Sequence, residues 1–310
     1  MHDMPVTPPR PEPSRWRRLW QQEDLNFLLT NRVPRIALTR LMGWYSRLRS
    51  PVLTRLSIAV WRLFTELDLS ESPPARYQSL RDCFTRPLKP GLRPVDPRPA
   101  VLASPCDAIV GACGTVAPGQ LVQAKGMPYR IEDLFGPSQD PSLFHNGCYV
   151  TLRLTSAMYH RFHSPHDLQL EHVTYLSGDT WNVNPVALAR IERLYCRNER
   201  AVIRARLQAD GTPIALVPVA AILVASIRLH ALDVLLHLKR RGPNEMPCAA
   251  RVVKGEELGW FEHGSTILVF VPPGFALAPG IAPGRRLRMG EALLQRSDGG
   301  HPAAAGSSCA

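Results

Sequence analysis

The sequence predicts an α+β fold in which amphipathic helices come first and a mostly antiparallel β core follows. Apolar residues recur at helical spacing within residues 15–66. Beyond about residue 100, short β-branched stretches alternate with turn residues, and Asp210-Gly211 has the composition of a tight hairpin. The longest apolar run, residues 214–227, is shorter than a membrane-spanning helix and contains Pro218, so we expect it to be buried β-structure.

Composition is that of a globular protein with a basic surface. The chain has 310 residues, of which 45% are hydrophobic and 20% charged, enough for one large domain or two small ones. The net charge is +11, and residues 1–65 contain eleven arginines against four acidic residues, a net +7. Such a distribution indicates an anionic partner, either nucleic acid or an anionic membrane surface. Because no nucleic-acid-binding motif is recognisable, we expect no nucleic acid partner.

The cysteines and the first residues of the chain favour a cytosolic compartment for this protein. Seven cysteines are scattered without a CxxC pair, which favours reduced thiols in the cytosol and argues against a zinc site, so no metal is expected. Residues 1–13 are polar and proline-rich, which argues against a signal peptide.

The N-terminal region is predicted to be helical and to lie in a membrane interface. We expect residues 1–14 to be disordered and residues 15–70 to form a helical membrane-association region. Ser50-Pro51 supplies a helix cap and a first-turn proline. After it, one apolar stripe lies beside arginines and comprises Leu53, Leu56, Val60, Leu63 and Phe64. The alternative is a helical pair packed on the protein's own core.

The remainder is predicted to be a β-rich catalytic domain over residues 71–293, followed by a flexible tail, 294–310. Alternation in Tyr149–Leu154 favours a strand, and we expect a short helix after it with Thr155 or Ser156 as its cap. Ile267–Val271 is apolar and β-branched, and it predicts a buried strand.

Candidate catalytic residues begin with a serine that follows a glycine at the start of that strand. Ser265, next to Gly264, could attack the carbonyl of its own backbone. Asp107 lies in a turn, and His160 and His163 are three residues apart, so they would share a face of a helical turn. An aspartate, a histidine and a serine can form an acid, base and nucleophile set. Each residue can also be purely structural, and spacing does not show that they meet.

Several short motifs in a fixed order make the chain resemble the phosphatidylserine decarboxylase family of pyruvoyl-dependent enzymes. The resemblance covers roughly residues 25–290. It rests on Phe84-Thr85-Arg86-Pro87-Leu88, Gln123-Ala124-Lys125-Gly126, Tyr159-His160-Arg161-Phe162-His163, Gly178-Asp179, Val183-Asn184, Arg197-Asn198-Glu199-Arg200, Lys254-Gly255-Glu256-Glu257-Leu258-Gly259 and Gly264-Ser265-Thr266.

The resemblance implies that the enzyme makes its own cofactor. Ser265 would attack the carbonyl of Gly264, and the chain would be cut between them into a β chain, residues 1–264, and an α chain, residues 265–310. Ser265 would become the pyruvoyl group. Its carbonyl would form a Schiff base with the amine of phosphatidylserine and accept electrons as carbon dioxide leaves, which gives phosphatidylethanolamine.

The resemblance also implies roles for three side chains. His163 would be the base for Ser265, and Asp107 would orient His163. His160 would protonate the carbanion that decarboxylation leaves.

Two positions depart from the family's pattern. His263 precedes the Gly-Ser-Thr where the family usually has leucine, and Ala108 follows the acid where glycine is usual. His263 could be a spectator or could alter the cleavage rate, and a turn shifted by Ala108 would orient His163 less well through Asp107. Neither change removes a group that the chemistry requires, so any effect is expected on the rate of self-cleavage rather than on its mechanism.

The implied protein is a peripheral one on the cytoplasmic face of the cell membrane, where it would meet phosphatidylserine in an anionic surface. Its β and α chains would stay together. A homodimer is one candidate oligomeric state, and the sequence does not decide it. Three alternatives remain open. They are a decarboxylase of another serine-headgroup lipid, a serine hydrolase that uses Ser265 in an intact chain, and a basic module without enzymatic activity that binds membrane or nucleic acid.

Overall fold

The computed structural model describes residues 33–297 except 75, 118, 125–126, 224, 239–241 and 263–264. The predicted disordered segment 1–14, the part of the helical region before residue 33 and most of the predicted tail therefore lie outside the described residues. Within them, helices come first and antiparallel sheets follow, which confirms the α+β prediction.

Three helices precede the sheets: α1 Arg35–Tyr45, α2 Pro51–Phe64 and α3 Leu80–Phe84. The Ser50 hydroxyl accepts a hydrogen bond from the Leu53 amide at 3.4 Å, so Ser50-Pro51 starts α2 as predicted. Shorter helices follow within the sheet region: α4 Ile131–Phe135, the 3-10 helix Ser142–Phe144, α5 Pro185–Leu188 and α6 Leu194–Arg197.

The strands of the described residues are numbered in chain order. They are β1 Val101–Ala103, β2 Ala108–Thr115, β3 Gln120–Ala124, β4 Met127–Arg130, β5 Cys148–Leu154, β6 Arg161–His163, β7 Leu168–Leu176, β8 Arg200–Leu207, β9 Pro213–Ala220, β10 Ser226–Leu229, β11 Val234–His237, β12 Glu245–Pro247, β13 Arg251–Val252, β14 Glu257–Phe261, β15 Ser265–Val271, β16 Phe275–Leu277, β17 Arg286–Leu287 and β18 Ala292–Arg296.

Two sheets position the site. A nine-stranded sheet has the order β12-β7-β8-β9-β15-β5-β2-β17, with β13 also paired to β7. A four-stranded sheet has the order β11-β10-β14-β6. Smaller sheets join β1-β18-β16 and β3-β4. The predicted hairpin at Asp210-Gly211 connects β8 and β9, which pair antiparallel.

Strand β15 lies between β9 and β5 and is buried along its whole length. Its alternate side chains enter two different hydrophobic clusters, Ile267 and Val269 on one face and Leu268 and Phe270 on the other. This explains why the sequence is continuously apolar there, because both faces of the strand are covered.

The helices α1, α2 and α3, called here the helical layer, are attached to the sheets largely by polar contacts. Arg35 in α1 forms an ion pair with Asp179 at 2.6 Å, and its guanidinium lies 3.4 Å from the ring centroid of Trp181. The Thr39 hydroxyl lies 3.3 Å from that of Thr180. None of the helices in the described ranges combines the length and apolar content needed to cross a bilayer.

The helical layer leaves apolar side chains in contact with solvent. Of the eleven exposed large hydrophobic residues in the described chain, eight belong to α1 and α2. They are Ile36, Leu41, Trp44, Val52, Leu56, Val60, Leu63 and Phe64. The predicted stripe of α2 therefore faces mostly outward, which disfavours the alternative of a helical pair packed on the core.

Two expectations are wrong. No helix follows Leu154: residues 155–160 form a turn and an extended link, and His163 lies in β6. The two histidines therefore do not share a helical face, because the chain must cross between two sheets there and His163 pairs with Glu257 in a ladder. Residues 294–296 belong to β18 rather than to a tail, because they pair with β1 and β16.

Candidate active site

The candidate site lies where the chain crosses twice between the nine-stranded and the four-stranded sheet. The first crossing, residues 155–160, leads from β5 to β6, and the second, residues 262–264, leads from β14 to β15. The two crossings are adjacent because β15 pairs with β5 and β14 pairs with β6. This topology brings His160, His163 and Ser265 into one region although a hundred residues separate them.

Ser265 is the first residue of β15 and is fully buried. It pairs with Leu154 on β5 and with Ala220 on β9. Its hydroxyl oxygen is buried and has no hydrogen-bond partner among the described residues. A buried hydroxyl without a partner is energetically unfavourable, so this position calls for an explanation beyond the fold. Gly264 and His263, the residues before it, lie outside the described chain.

His163 is held at both ring nitrogens. Its Nδ1 lies 2.9 Å from the carbonyl oxygen of Gly255, and its Nε2 lies 3.0 Å from the hydroxyl of Tyr159. Because a carbonyl can only accept, Nδ1 carries the proton and Nε2 accepts from the tyrosine. Burial lowers the pKa of His163 below its ordinary value, although the bond to Gly255 opposes the shift. The ring is therefore a neutral base at neutral pH.

Gly255 can place its carbonyl there only because it is a glycine. Its φ is +84°, and a Cβ would lie 2.7 Å from a methyl group of Val95. Another residue at this position would be strained and crowded.

His160 is completely buried on the first crossing. Its Nδ1 lies 2.8 Å from the carbonyl oxygen of Met158, which fixes the proton of the neutral ring on Nδ1. Its ring packs against Phe84 of α3, with centroids 4.1 Å apart. The backbone carbonyl of His160 accepts from the amide of Phe261 at 2.9 Å, which joins the two crossings.

Asp107 is near this group but is bonded elsewhere. Arg93 donates to its two carboxylate oxygens at 2.8 and 2.6 Å, and the amide of Met289 donates to one of them at 2.8 Å. Within the described residues, neither oxygen hydrogen-bonds to His163. The negative charge of Asp107 still contributes a small upward influence on the pKa of His163. The structure thus places the predicted acid close by without direct contact.

Two cavities adjoin the site. One cavity of about 420 Å³ is lined by both polar and apolar side chains, including Asp107, Tyr159 and Arg86. A mainly apolar cavity of about 380 Å³ lies within the helical layer and reaches Phe84 and Glu262. Among the described residues, no group of three or more His, Cys, Asp or Glu side chains could hold a metal ion.

Comparison with known proteins identifies the family of this chain. The family model for phosphatidylserine decarboxylase matches residues 80–295. Relatives named phosphatidylserine decarboxylase proenzyme occur in Brevibacillus brevis, Anaeromyxobacter sp. (strain K) and Dickeya dadantii, and they are 33%, 38% and 34% identical to this chain. The alignments cover 86%, 84% and 89% of this chain and 96%, 94% and 94% of the relatives. The chain belongs to the phosphatidylserine decarboxylase family.

Several motif residues of the phosphatidylserine decarboxylase family hold the site's scaffold in this chain. Gln123 binds the carbonyls of Leu188 and Ile191 and the amide of Leu194, so it connects α5 to α6. Lys125, in the same motif, lies outside the described residues.

Two further motif residues support the crossings themselves. Arg86 is buried and donates to the carbonyl of Ala157 at 3.2 Å, which fixes the first crossing to α3. Asn198 donates to the carbonyl of Ala220 at 2.9 Å, the residue that pairs with Ser265.

Three residues that bind the predicted site residues were not themselves predicted from the sequence. Tyr159 and Gly255 were only parts of motifs, and Arg93 was not considered. Their contacts cross large sequence separations, and the one available signal was the tyrosine four residues before His163.

Proposed function

We propose that this chain is a self-processing decarboxylase that converts phosphatidylserine to phosphatidylethanolamine at a membrane surface. The observation that carries the proposal is the buried hydroxyl of Ser265 at the start of β15, which has no hydrogen-bond partner among the described residues, in a member of this family. A buried hydroxyl is poorly placed to attack an external ester. The carbonyl of the preceding residue is held near it by covalent connection.

The self-cleavage is balanced without any external reagent except water. The Ser265 oxygen attacks the Gly264 carbonyl carbon, the peptide C–N bond breaks, and an ester and a free amine form. Loss of the Cα proton of residue 265 and of the Cβ–O bond releases the Gly264 carboxylate and leaves dehydroalanine. Its imine tautomer takes up water and releases ammonia, which yields the pyruvoyl end of the α chain.

His163 is suited to take the proton from Ser265. It is neutral, its tautomer is fixed by Gly255, and its basic Nε2 is occupied only by the hydroxyl of Tyr159. That hydroxyl must give way when the serine hydroxyl binds, which is an exchange of one donor for another. Asp107 then acts through its charge, because its oxygens are bonded to Arg93 and Met289.

The residues present fit a pyruvoyl group derived from Ser265. That group supplies a carbonyl that binds the substrate amine and an electron sink for the bond to carbon dioxide. His160 is the proposed proton donor to the carbon that loses carbon dioxide. The carbonyl of Met158 holds its Nδ1–H, so the ring would donate from Nε2 after Nε2 has taken up a proton. Burial of the site limits the access of water.

The substrate would enter from the helical layer. Its exposed apolar side chains suit insertion among acyl chains, and its exposed arginines Arg40, Arg55 and Arg62 suit an anionic surface. The apolar cavity behind α1 and α2 extends to Phe84, which contacts His160, and it would receive the lipid near its headgroup. This supports a peripheral location.

The two chains would remain associated after cleavage. Strand β15, which would begin the α chain, is hydrogen-bonded along its length to β5 and β9, which belong to the β chain. Removing one peptide bond leaves these ladders intact.

The test is intact mass under denaturing conditions, with Ser265→Ala beside the wild type. We expect two wild-type fragments that meet at Gly264/Ser265, the smaller beginning with pyruvoyl, and one intact chain for the variant. Release of carbon dioxide from vesicles containing phosphatidylserine then tests the substrate. An intact wild-type chain that reacts with a fluorophosphonate would favour a serine hydrolase, and activity on another serine-headgroup lipid alone would change the substrate.

A further inference from the structure

A buried carboxylate lies on the second crossing, three residues before Ser265. The side chain of Glu262 is 1% exposed. Arg81 lies 2.5 Å from Oε1 and Arg47 lies 3.2 Å from Oε2, so both oxygens meet a guanidinium. We call these three residues the Glu262 ion-pair cluster. The amide of Glu262 also donates to the carbonyl of Ser226 at 3.3 Å.

Both arginines come from the helical layer. Arg47 lies in the connection between α1 and α2, and Arg81 lies in α3. The amide of Arg81 also donates to the carbonyl of Ser46 at 2.9 Å, which holds the two arginine-bearing segments together. The cluster is therefore a direct link between the proposed membrane-facing helices and the segment next to the proposed cleavage site.

The buried negative charge of Glu262 is compensated by the positive charges of these two arginines. A carboxylate that is nearly excluded from solvent needs its ion-pair partners, and without them it moves toward water. Glu262 is separated from Ser265 by only two residues, so such a movement would displace the carbonyl that the serine must attack. Reactions between held groups are sensitive to displacements of about 1 Å.

We propose that Arg47, Arg81 and Glu262 are positioning residues for self-cleavage, and that they make the reaction depend on the placement of the helical layer. The inference rests on the proposed self-cleavage. None of the three touches the reacting atoms in this role. They fix Glu262, three residues before Ser265, and after cleavage they hold the β chain at this residue near its carboxyl end.

The experiment follows the time course of self-cleavage by intact mass during cell-free synthesis. The variants are Arg47→Ala with Arg81→Ala, the same pair with Glu262→Gln, and Arg47→Lys with Arg81→Lys. Arg206→Ala, which breaks an exposed pair with Glu171, is the matched control. Each is also made with Ser265→Ala so that the thermal midpoint of the uncleaved chain can be measured.

We expect the double alanine variant to be cleaved at least about tenfold more slowly than the wild type, because its segment is misplaced. Glu262→Gln in the same chain should restore most of the rate, since the unpaired charge is gone, and the double lysine variant and the Arg206 control should be close to the wild type.

Wild-type rates in the double alanine variant would overturn the inference. So would a slow variant that Glu262→Gln does not restore and whose uncleaved form melts much earlier, because the cluster would then be only structural. An uncleaved wild type would refute the proposed function itself, which distinguishes the two failures.

Discussion

The hydroxyl of Tyr159 lies 3.0 Å from Nε2 of His163, the nitrogen that must receive the proton of Ser265 in the proposed reaction. The other nitrogen is held by the carbonyl of Gly255. The base is thus oriented by a phenol and a backbone carbonyl, while the carboxylate of Asp107 influences it from a distance.

Tyr159→Phe tests this orientation. Burial raises the pKa of the Tyr159 phenol, so it remains a donor, and its loss leaves Nε2 without its partner. Because the phenol no longer has to leave Nε2 before Ser265 binds there, we expect the rate of self-cleavage to rise by roughly three- to tenfold, while the free energy of unfolding falls by about 1–3 kcal/mol. Time-resolved intact mass and chemical denaturation of the uncleaved form measure the two. A slower rate would show that Tyr159 orients the base and does not compete with Ser265 for it.

The rate of self-cleavage should depend on pH through His163. Burial lowers its pKa from the ordinary 6.5, so the neutral base persists into mildly acidic solution. We expect a constant rate above pH 6.5 and a decline only as the pH falls through the lowered folded value. The stability contributed by the neutral ring has the same sign: it is complete above pH 6.5 and is lost toward lower pH. A rate that declines already above pH 7 would contradict this assignment.

Arg93→Ala should destabilise the protein strongly. The Arg93 and Asp107 side chains are 6% and 11% exposed and are joined by two hydrogen bonds, so removal of the arginine leaves a poorly solvated charge. We expect the free energy of unfolding to fall by about 3–5 kcal/mol. Arg206→Ala, which breaks an exposed pair with Glu171, is the control and should change it by less than about 1 kcal/mol. Equal effects of the two variants would show that burial does not decide the energy of the Arg93 pair.

Glu199→Gln should stabilise the protein above neutral pH. Burial raises the pKa of Glu199 to about 7, so its ionisation opposes folding as the pH rises from 4.5 toward 7. The Ser177 hydroxyl, 3.1 Å from Oε1, can still donate to the amide oxygen. We expect a gain of about 2 kcal/mol at pH 8 and little gain at pH 4.5, measured by denaturation at both values. An equal change at both pH values would exclude ionisation as its cause.

The outward apolar faces predict specific losses of membrane binding. Trp44 and Leu63 are 62% and 70% exposed, and each would bury apolar area in a bilayer. Changing both to Gln should weaken binding to anionic phosphatidylglycerol vesicles by roughly tenfold or more, as measured by sedimentation. Leu143→Gln removes a similarly exposed side chain outside the helical layer and should have no effect. Equal loss in both proteins would show that the helical layer is not the docking surface.

Local patterns in the sequence predicted the local structures. Neighbouring residues encode three elements that the structure contains: the cap at Ser50, the hairpin at Asp210-Gly211 and the buried strand β15. The local sequence predicted a short helix after Leu154, and this prediction was wrong for residues 155–160. The pairing of His163 with Glu257 outweighs the local preference for a capped helix.

The sequence by itself determined the fold class and the family, and it predicted Ser265 as the nucleophile beside His160 and His163, because these depend on residue types and their order. Tertiary structure alone decided their partners. Tyr159 and Gly255 form hydrogen bonds with His163, and Arg93 donates to Asp107. Two arginines of the helical layer form ion pairs with Glu262. The physical reason is that buried polar groups bind whichever partner the packing of distant strands and helices brings within about 3 Å, and no local pattern specifies that choice.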